Sequence, residues 1–223
     1  MLVSCWSVKG GVGTTVVAAA LAMLLAARSA AGSVLADLAG DCPAVLGLPE
    51  PPRESPGLSA WLAAGPETPA DALLRLEVPA APGVALLPRG DPTRRPGPGR
   101  PALLAAVLDE GPRPTVADCG RLPSPVATDL ATRARQSLLV LRPCYLALRR
   151  AAQCPLRPTG VVLIREPGRA LTATDIDQTL ATPVVATLDL DPAVARAVDA
   201  GLLATRLPRS LARPLAKAIP DVT

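Results

Sequence analysis

Short apolar runs alternate with longer mixed stretches along the whole chain, and that alternation predicts strands and helices in turn. Residues 2–7, 33–37, 84–88, 115–118, 137–141, 160–164 and 184–187 read as strands. Residues 15–30, ending near Gly32, then 101–110, 124–134, 146–154, 172–180, 192–200 and 209–218 read as helices, with shorter helical pieces at 43–47 and 58–64. In 101–110, Leu103, Leu104 and Val107 fall on one helical face. The strand runs are continuous and largely apolar, as expected when both faces of a sheet are covered. Strand–helix alternation of this kind predicts an α/β protein: a three-layer α/β/α sandwich around a mostly parallel, doubly wound sheet. No internal repeat is found. The Pro- and Gly-rich stretches 49–56 and 88–101 are each too short to separate two cores, so residues 1–223 are expected to form one domain.

Composition narrows the chemistry. The 223 residues are 49% apolar and 19% charged, enough for a sizeable core. There is no histidine, which excludes a Ser-His-Asp triad and any imidazole base or metal ligand. There is no phenylalanine, and Trp6, Trp61 and Tyr145 are too few to build a base-stacking surface. The net charge of +4 is small and scattered, and does not select nucleic acid. Five cysteines without C-x-x-C spacing fit reduced thiols in a cytosol. The apolar run 16–27 falls short of the roughly 20 residues a bilayer span requires, and the first residues lack the pattern of a secretion signal. A soluble, cytoplasmic protein is expected. Among the basic residues only Lys9 and Lys217 are lysines, which makes Lys9 conspicuous.

Lys9 lies in the one segment that carries recognisable chemistry. Residues 2–15 read strand, then Val8-Lys9-Gly10-Gly11-Val12-Gly13-Thr14-Thr15, then helix. A glycine-rich turn from a strand into a helix points backbone N–H groups inward and adds the partial positive charge of the helix N-terminus, so it cradles anions. A hydroxyl at Thr15 is placed to ligate Mg²⁺ beside bound phosphates. The ordinary P-loop is G-x-x-x-x-G-K-[ST]; here Val8 takes the first glycine position and Thr14 the lysine position.

Lys9-Gly10-Gly11-Val12-Gly13 resembles the deviant Walker A motif of the MinD/ParA P-loop ATPases. In that family an early signature lysine reaches the phosphates held by the partner subunit in an ATP-sandwich dimer, and Lys9 matches it. Threonine in place of the second lysine is similar to the TadZ/CpaE branch, which localises and helps assemble Tad (Flp) pilus secretion systems. Further segments match in order. Val34 to Ala39 resembles the second strand and switch I, with Asp37 at the first aspartate position and Ala39 where the water-positioning aspartate is expected. Gly40 to Leu48 and Pro183 to Gly201 resemble CpaE-like segments, and Gly83 to Gly90 resembles the strand ending in "LPxG". Thr115 to Gly120 resembles the Walker B and switch II strand, with Asp118 holding magnesium through water. Ile164-Arg165 stands where the family often has Asn-Arg beside the adenine.

The resemblance therefore implies ATP and Mg²⁺ as cofactors and a homodimer across the bound nucleotide. It implies Lys9 and Asp37 as catalytic residues, and Lys9, Gly10, Gly11, Val12, Gly13, Thr14, Thr15 and Arg165 as nucleotide contacts. Thr15 and Asp118 become the metal ligands. Pilus or secretion assembly proteins become the partners, with localisation polar or at the inner face of the membrane through them. Thr14 and Ala39 both weaken catalysis, because phosphoryl transfer depends on placed charge and an oriented nucleophile. Very slow or absent hydrolysis is expected. The alternatives are a septum-site or chromosome-positioning ATPase of the same fold, and a scaffold that no longer binds nucleotide.

The remaining basic features do not change this reading. Arg94, Arg95 and Arg100 suggest a basic patch on a loop. Arg142, Arg149, Arg150 and Arg157 surround one helix; an arginine-rich codon bias explains them, and DNA is not expected as a partner. Arg206, Arg209, Arg213 and Lys217, with Leu207, Leu211, Leu215 and Ile219, make a basic amphipathic end. Pro214 would kink that helix, so packing against the sheet is expected there and membrane docking is not predicted. Cys42 and Cys119 read as small buried fillers.

Overall fold

The computed structural model describes residues 1–49, 52 and 55–219. Part of the stretch 49–56, read above as a loop, therefore lies outside the described residues. One eight-stranded sheet runs through the chain in the order β3-β4-β2-β5-β1-β6-β7-β8. Its strands are β1 (Leu2–Ser7), β2 (Ser33–Asp37), β3 (Val78–Ala81), β4 (Val84–Leu87), β5 (Thr115–Arg121), β6 (Gln136–Leu141), β7 (Gly160–Arg165) and β8 (Val184–Asp189). Every neighbouring pair is parallel except β3 with β4.

Alternate residues of the central strands feed two cores. Val3, Cys5, Leu35, Val116, Leu138, Val140 and Val162 face one; Leu2, Trp6, Val34, Ala36, Ala117, Leu139 and Leu163 face the other. The first core is covered by α1 (Thr14–Ala26), α2 (Cys42–Leu46), α8 (Pro192–Asp199) and α9 (Arg209–Leu215). The second is covered by α3 (Leu58–Ala63), α4 (Arg100–Glu110), α5 (Pro125–Arg133), α6 (Tyr145–Gln153) and α7 (Ala173–Leu180). This is the three-layer, doubly wound α/β/α arrangement that the run pattern predicts. The alanine-rich α1 is buried along most of its length, which lets it lie close over the sheet centre.

Some local expectations need correction. The first helix ends at Ala26, not at residue 30, because the chain leaves it through tight turns to Gly32. Gly32 has φ +76°, and a Cβ there would lie 2.3 Å from the Gly83 carbonyl oxygen, so the chain must turn early enough to make this approach. β3 and the 3-10 helix before it (Ala70–Leu76) are not foreseen in the sequence. Pro79 argues against a strand; it is tolerated because β3 is the antiparallel edge. In α4 the buried face is Leu104, Ala105 and Leu108, while Leu103 is exposed.

The C-terminal helix packs as expected. Leu211, Leu215 and Ile219 are buried in the first core, and Arg209, Arg213 and Lys217 stay in solvent. The expected basic patch at Arg94, Arg95 and Arg100 does not form. Arg100 is buried, its Nη2 donates to the Trp61 carbonyl at 2.7 Å, and its guanidinium lies 3.6 Å over the Trp61 ring. No helix among the described residues is long and apolar enough to cross a membrane.

Candidate functional site

The strand order reverses at β1. From β1 the chain first winds to one side through β2, and later to the other through β6. In open α/β sheets the crevice at the carboxyl ends of the strands beside such a reversal is the binding place. Here it is a cleft of about 810 Å³, lined by the loop between β1 and α1 together with residues following β2, β4 and β5.

The loop is built as an anion cradle. Gly11 has φ +71° and Gly13 φ +94°, a left-handed backbone that only glycine adopts at little cost. A Cβ built on Gly10, Gly11 or Gly13 meets nothing within 4 Å, so the cradle opens into unfilled space. Gly13 precedes α1 with no side-chain cap on that helix's N-terminus, and no acid lies in the first turn. Uncapped N–H groups and the helix dipole therefore face the cleft. Val12 is buried and anchors the loop, and Thr14 is buried at the helix start. Thr15 lines the cleft, whereas Lys9 is exposed and stands outside its wall.

Behind the loop sit the two predicted acids. Asp37 ends β2 and Asp118 lies on β5, and the two are register partners across the strands. Both are fully buried. Asp37 accepts N–H hydrogen bonds from Gly40 at 2.6 Å and Cys42 at 3.1 Å; Asp118 accepts one from Gly120 at 3.0 Å. Burial raises the pKa of Asp37, against the pull of those N–H donors. Burial likewise pushes Asp118 up to about 7, with the Thr15 hydroxyl opposing and the Asp37 charge adding to the rise. With Cys42 they form a group whose ligand atoms lie within 4.8 Å of one another. Two buried carboxylates without a facing positive charge, beside a threonine hydroxyl, suit a hard divalent cation with oxygen ligands. The Cys5, Cys42 and Cys119 thiols are pushed up by burial, which fits inert fillers.

Arg165 is not brought to this cleft. It ends β7, its Nε donates to Asp189 at 2.6 Å, and it lines a second cleft of about 660 Å³. A third, apolar cleft of about 290 Å³ shares Val12 and Gly13 with the first and Asp189 and Leu190 with the second, and includes Ile164. The three make a run from the glycine loop toward the end of β7. Two residues that sequence reasoning did not single out line the first cleft: Arg89, after β4, and Arg121, at the end of β5. The only signal for Arg89 is its place in Leu87-Pro88-Arg89-Gly90; nothing in the spacing marks Arg121.

No protein-family model matches the chain, and no curated protein does. Solved structures do. A ParA family ATPase from Chlorobium tepidum TLS superposes with a TM-score of 0.77 at 18% identity, over 96% of this chain and 95% of that one. The MinD cell division protein of Aquifex aeolicus gives 0.77 at 17% identity, over 97% and 93%. The septum site-determining protein MinD of Pyrococcus horikoshii OT3, complexed with Mg-ADP, gives 0.76 at 19% identity, over 97% and 93%. The chain therefore has the fold of the MinD/ParA P-loop ATPases.

Proposed function

We propose that this chain binds ATP with Mg²⁺ at the Gly10–Thr15 loop and serves as a positioning switch or scaffold with very slow turnover, of the TadZ/CpaE type. The observation that carries this reading is the coincidence of the open, uncapped glycine cradle with the buried Asp37–Asp118 pair at its back. The backbone N–H groups of the loop hold the phosphates. The Thr15 hydroxyl and Asp118 hold the magnesium, and Asp37 neighbours them. The bound cation supplies the positive charge that the two buried carboxylates lack.

Lys9 is exposed at the rim, where it can serve a second copy of the chain, so dimerisation and nucleotide occupancy are coupled. Ala39 offers no carboxylate to orient water, and Thr14 no cation to the phosphates; each loss weakens the electrostatic part of phosphoryl transfer. The dimer surface then recruits pilus or secretion assembly proteins at the inner face of the membrane. Structures of MinD with Mg-ADP and of a Cyanothece McdA variant in complex with ATP share the fold, which supports the choice of nucleotide.

The test is equilibrium binding of a labelled ATP analogue with Mg²⁺, with phosphate release followed in parallel. Saturable binding with little release supports the reading. Rapid release stimulated by membrane or DNA would replace it with a septum-site or chromosome-positioning ATPase. No binding at millimolar ATP would leave a nucleotide-free scaffold.

A further inference from the structure

Thr14 leaves the glycine loop one positive charge short of the ordinary P-loop, yet the cleft around it contains Arg89 and Arg121. Arg121 follows Gly120 and is the register partner of Ser7, where β1 runs into the loop. The Leu122 N–H donates to the Ser7 carbonyl at 2.9 Å, which fixes the Arg121 backbone beside the loop. Its side chain is exposed and makes no ion pair among the described residues.

Arg89 enters from the loop after β4. That backbone is fixed too: the Pro88 and Arg89 carbonyls accept from Leu58 and Ser59 at 2.8 and 2.9 Å. Arg89 Nη1 donates to the Ala39 carbonyl at 2.8 Å, so the guanidinium is tied to the residue standing where the family's second aspartate is expected. Asp41 and Asp199 line the same cleft, so before any ligand arrives the two arginines only balance its carboxylates.

We infer that Arg89 and Arg121 supply, from the ends of β4 and β5, the positive charge that Thr14 removes from the loop, and that they hold the terminal phosphate of the bound nucleotide. The inference rests on the nucleotide reading above. A guanidinium suits the role, because its planar fork matches phosphate oxygens and keeps its charge at any working pH. Charge delivered from neighbouring strands differs from a loop lysine in one respect: Arg89 is coupled to the segment around Ala39, so phosphate contact and the position of that segment are linked.

The experiment compares Mg-ATP and Mg-ADP binding in wild type, Arg89→Ala, Arg121→Ala and the control Arg149→Ala. Arg149 is exposed on α6 and does not line the cleft. Arg89→Ala and Arg121→Ala are each expected to weaken Mg-ATP about tenfold or more, as loss of a charge-assisted contact does. Mg-ADP should suffer less, and Arg149→Ala not at all. Thr14→Lys added to either variant should recover most of the lost Mg-ATP affinity, because it restores the charge by the ordinary route. Variants that bind like Arg149→Ala, or a loss that Thr14→Lys does not recover, would overturn the inference. Absence of binding by the wild type would instead remove the nucleotide reading on which it rests.

Discussion

Asp118 is buried without a facing cation, and its carboxyl is pushed up to about 7, first by burial. A carboxyl whose folded pKa lies above its unfolded value binds its proton more tightly when folded. Its contribution to stability is therefore fully present below the unfolded value near 3.8 and is lost as pH rises toward about 7. The metal-free protein should lose stability across that window. Asp118→Asn, which keeps the shape and the acceptor for the Gly120 N–H, should flatten the loss and stabilise the metal-free protein above pH 7 by roughly 1–4 kcal/mol. Urea unfolding between pH 5 and 8 checks this, and a variant no more stable than wild type would contradict it. At this scale the sequence was partly legible. Lys9, Thr15, Asp37 and Asp118 stand out by type and order. Arg89 and Arg121 do not, because only the register of β5 on β1 and the bond to Ala39 bring them to the loop.

Elements meet through close backbone approaches, and glycines mark where. Gly47 caps α2 with φ +70°, and a Cβ there would sit 2.1 Å from the Gly201 carbonyl oxygen, just beyond α8. This contact ties the segment after β2 to the C-terminal segment, both of which line the cleft. Gly168 has a similar φ of +76° with nothing within 4 Å of its Cβ position. Gly168→Ala should therefore cost only the left-handed backbone strain of about 1 kcal/mol, and Gly47→Ala clearly more, about 2–4 kcal/mol. Denaturant midpoints compare them; equal losses would show that the approach to Gly201 is not tight in solution. The long helices and central strands were readable because short, largely apolar runs alternate with longer Ala- and Leu-rich ones. β3 was not, because Pro79 and four residues of edge strand carry no usable pattern.

At the scale of the whole molecule, the two-core sandwich was legible from the order of elements alone, since strand–helix alternation admits few topologies. The placement of Arg165 was not. It lies one cleft away from the loop, paired with Asp189, which spacing along the chain does not reveal. The arrangement puts a glycine cradle, a buried acid pair and an exposed Lys9 at one end of the sheet. In the proposed reading, Lys9 serves a second copy of the chain. The decisive measurement is particle mass in solution with Mg²⁺ and a non-hydrolysable ATP analogue, for wild type and Lys9→Ala. On adding nucleotide the wild type should reach twice the 22.7 kDa chain mass, while Lys9→Ala should stay at the mass of a single chain. A wild type whose mass is unchanged at saturating nucleotide, or a Lys9→Ala protein that dimerises as well as wild type, would contradict it.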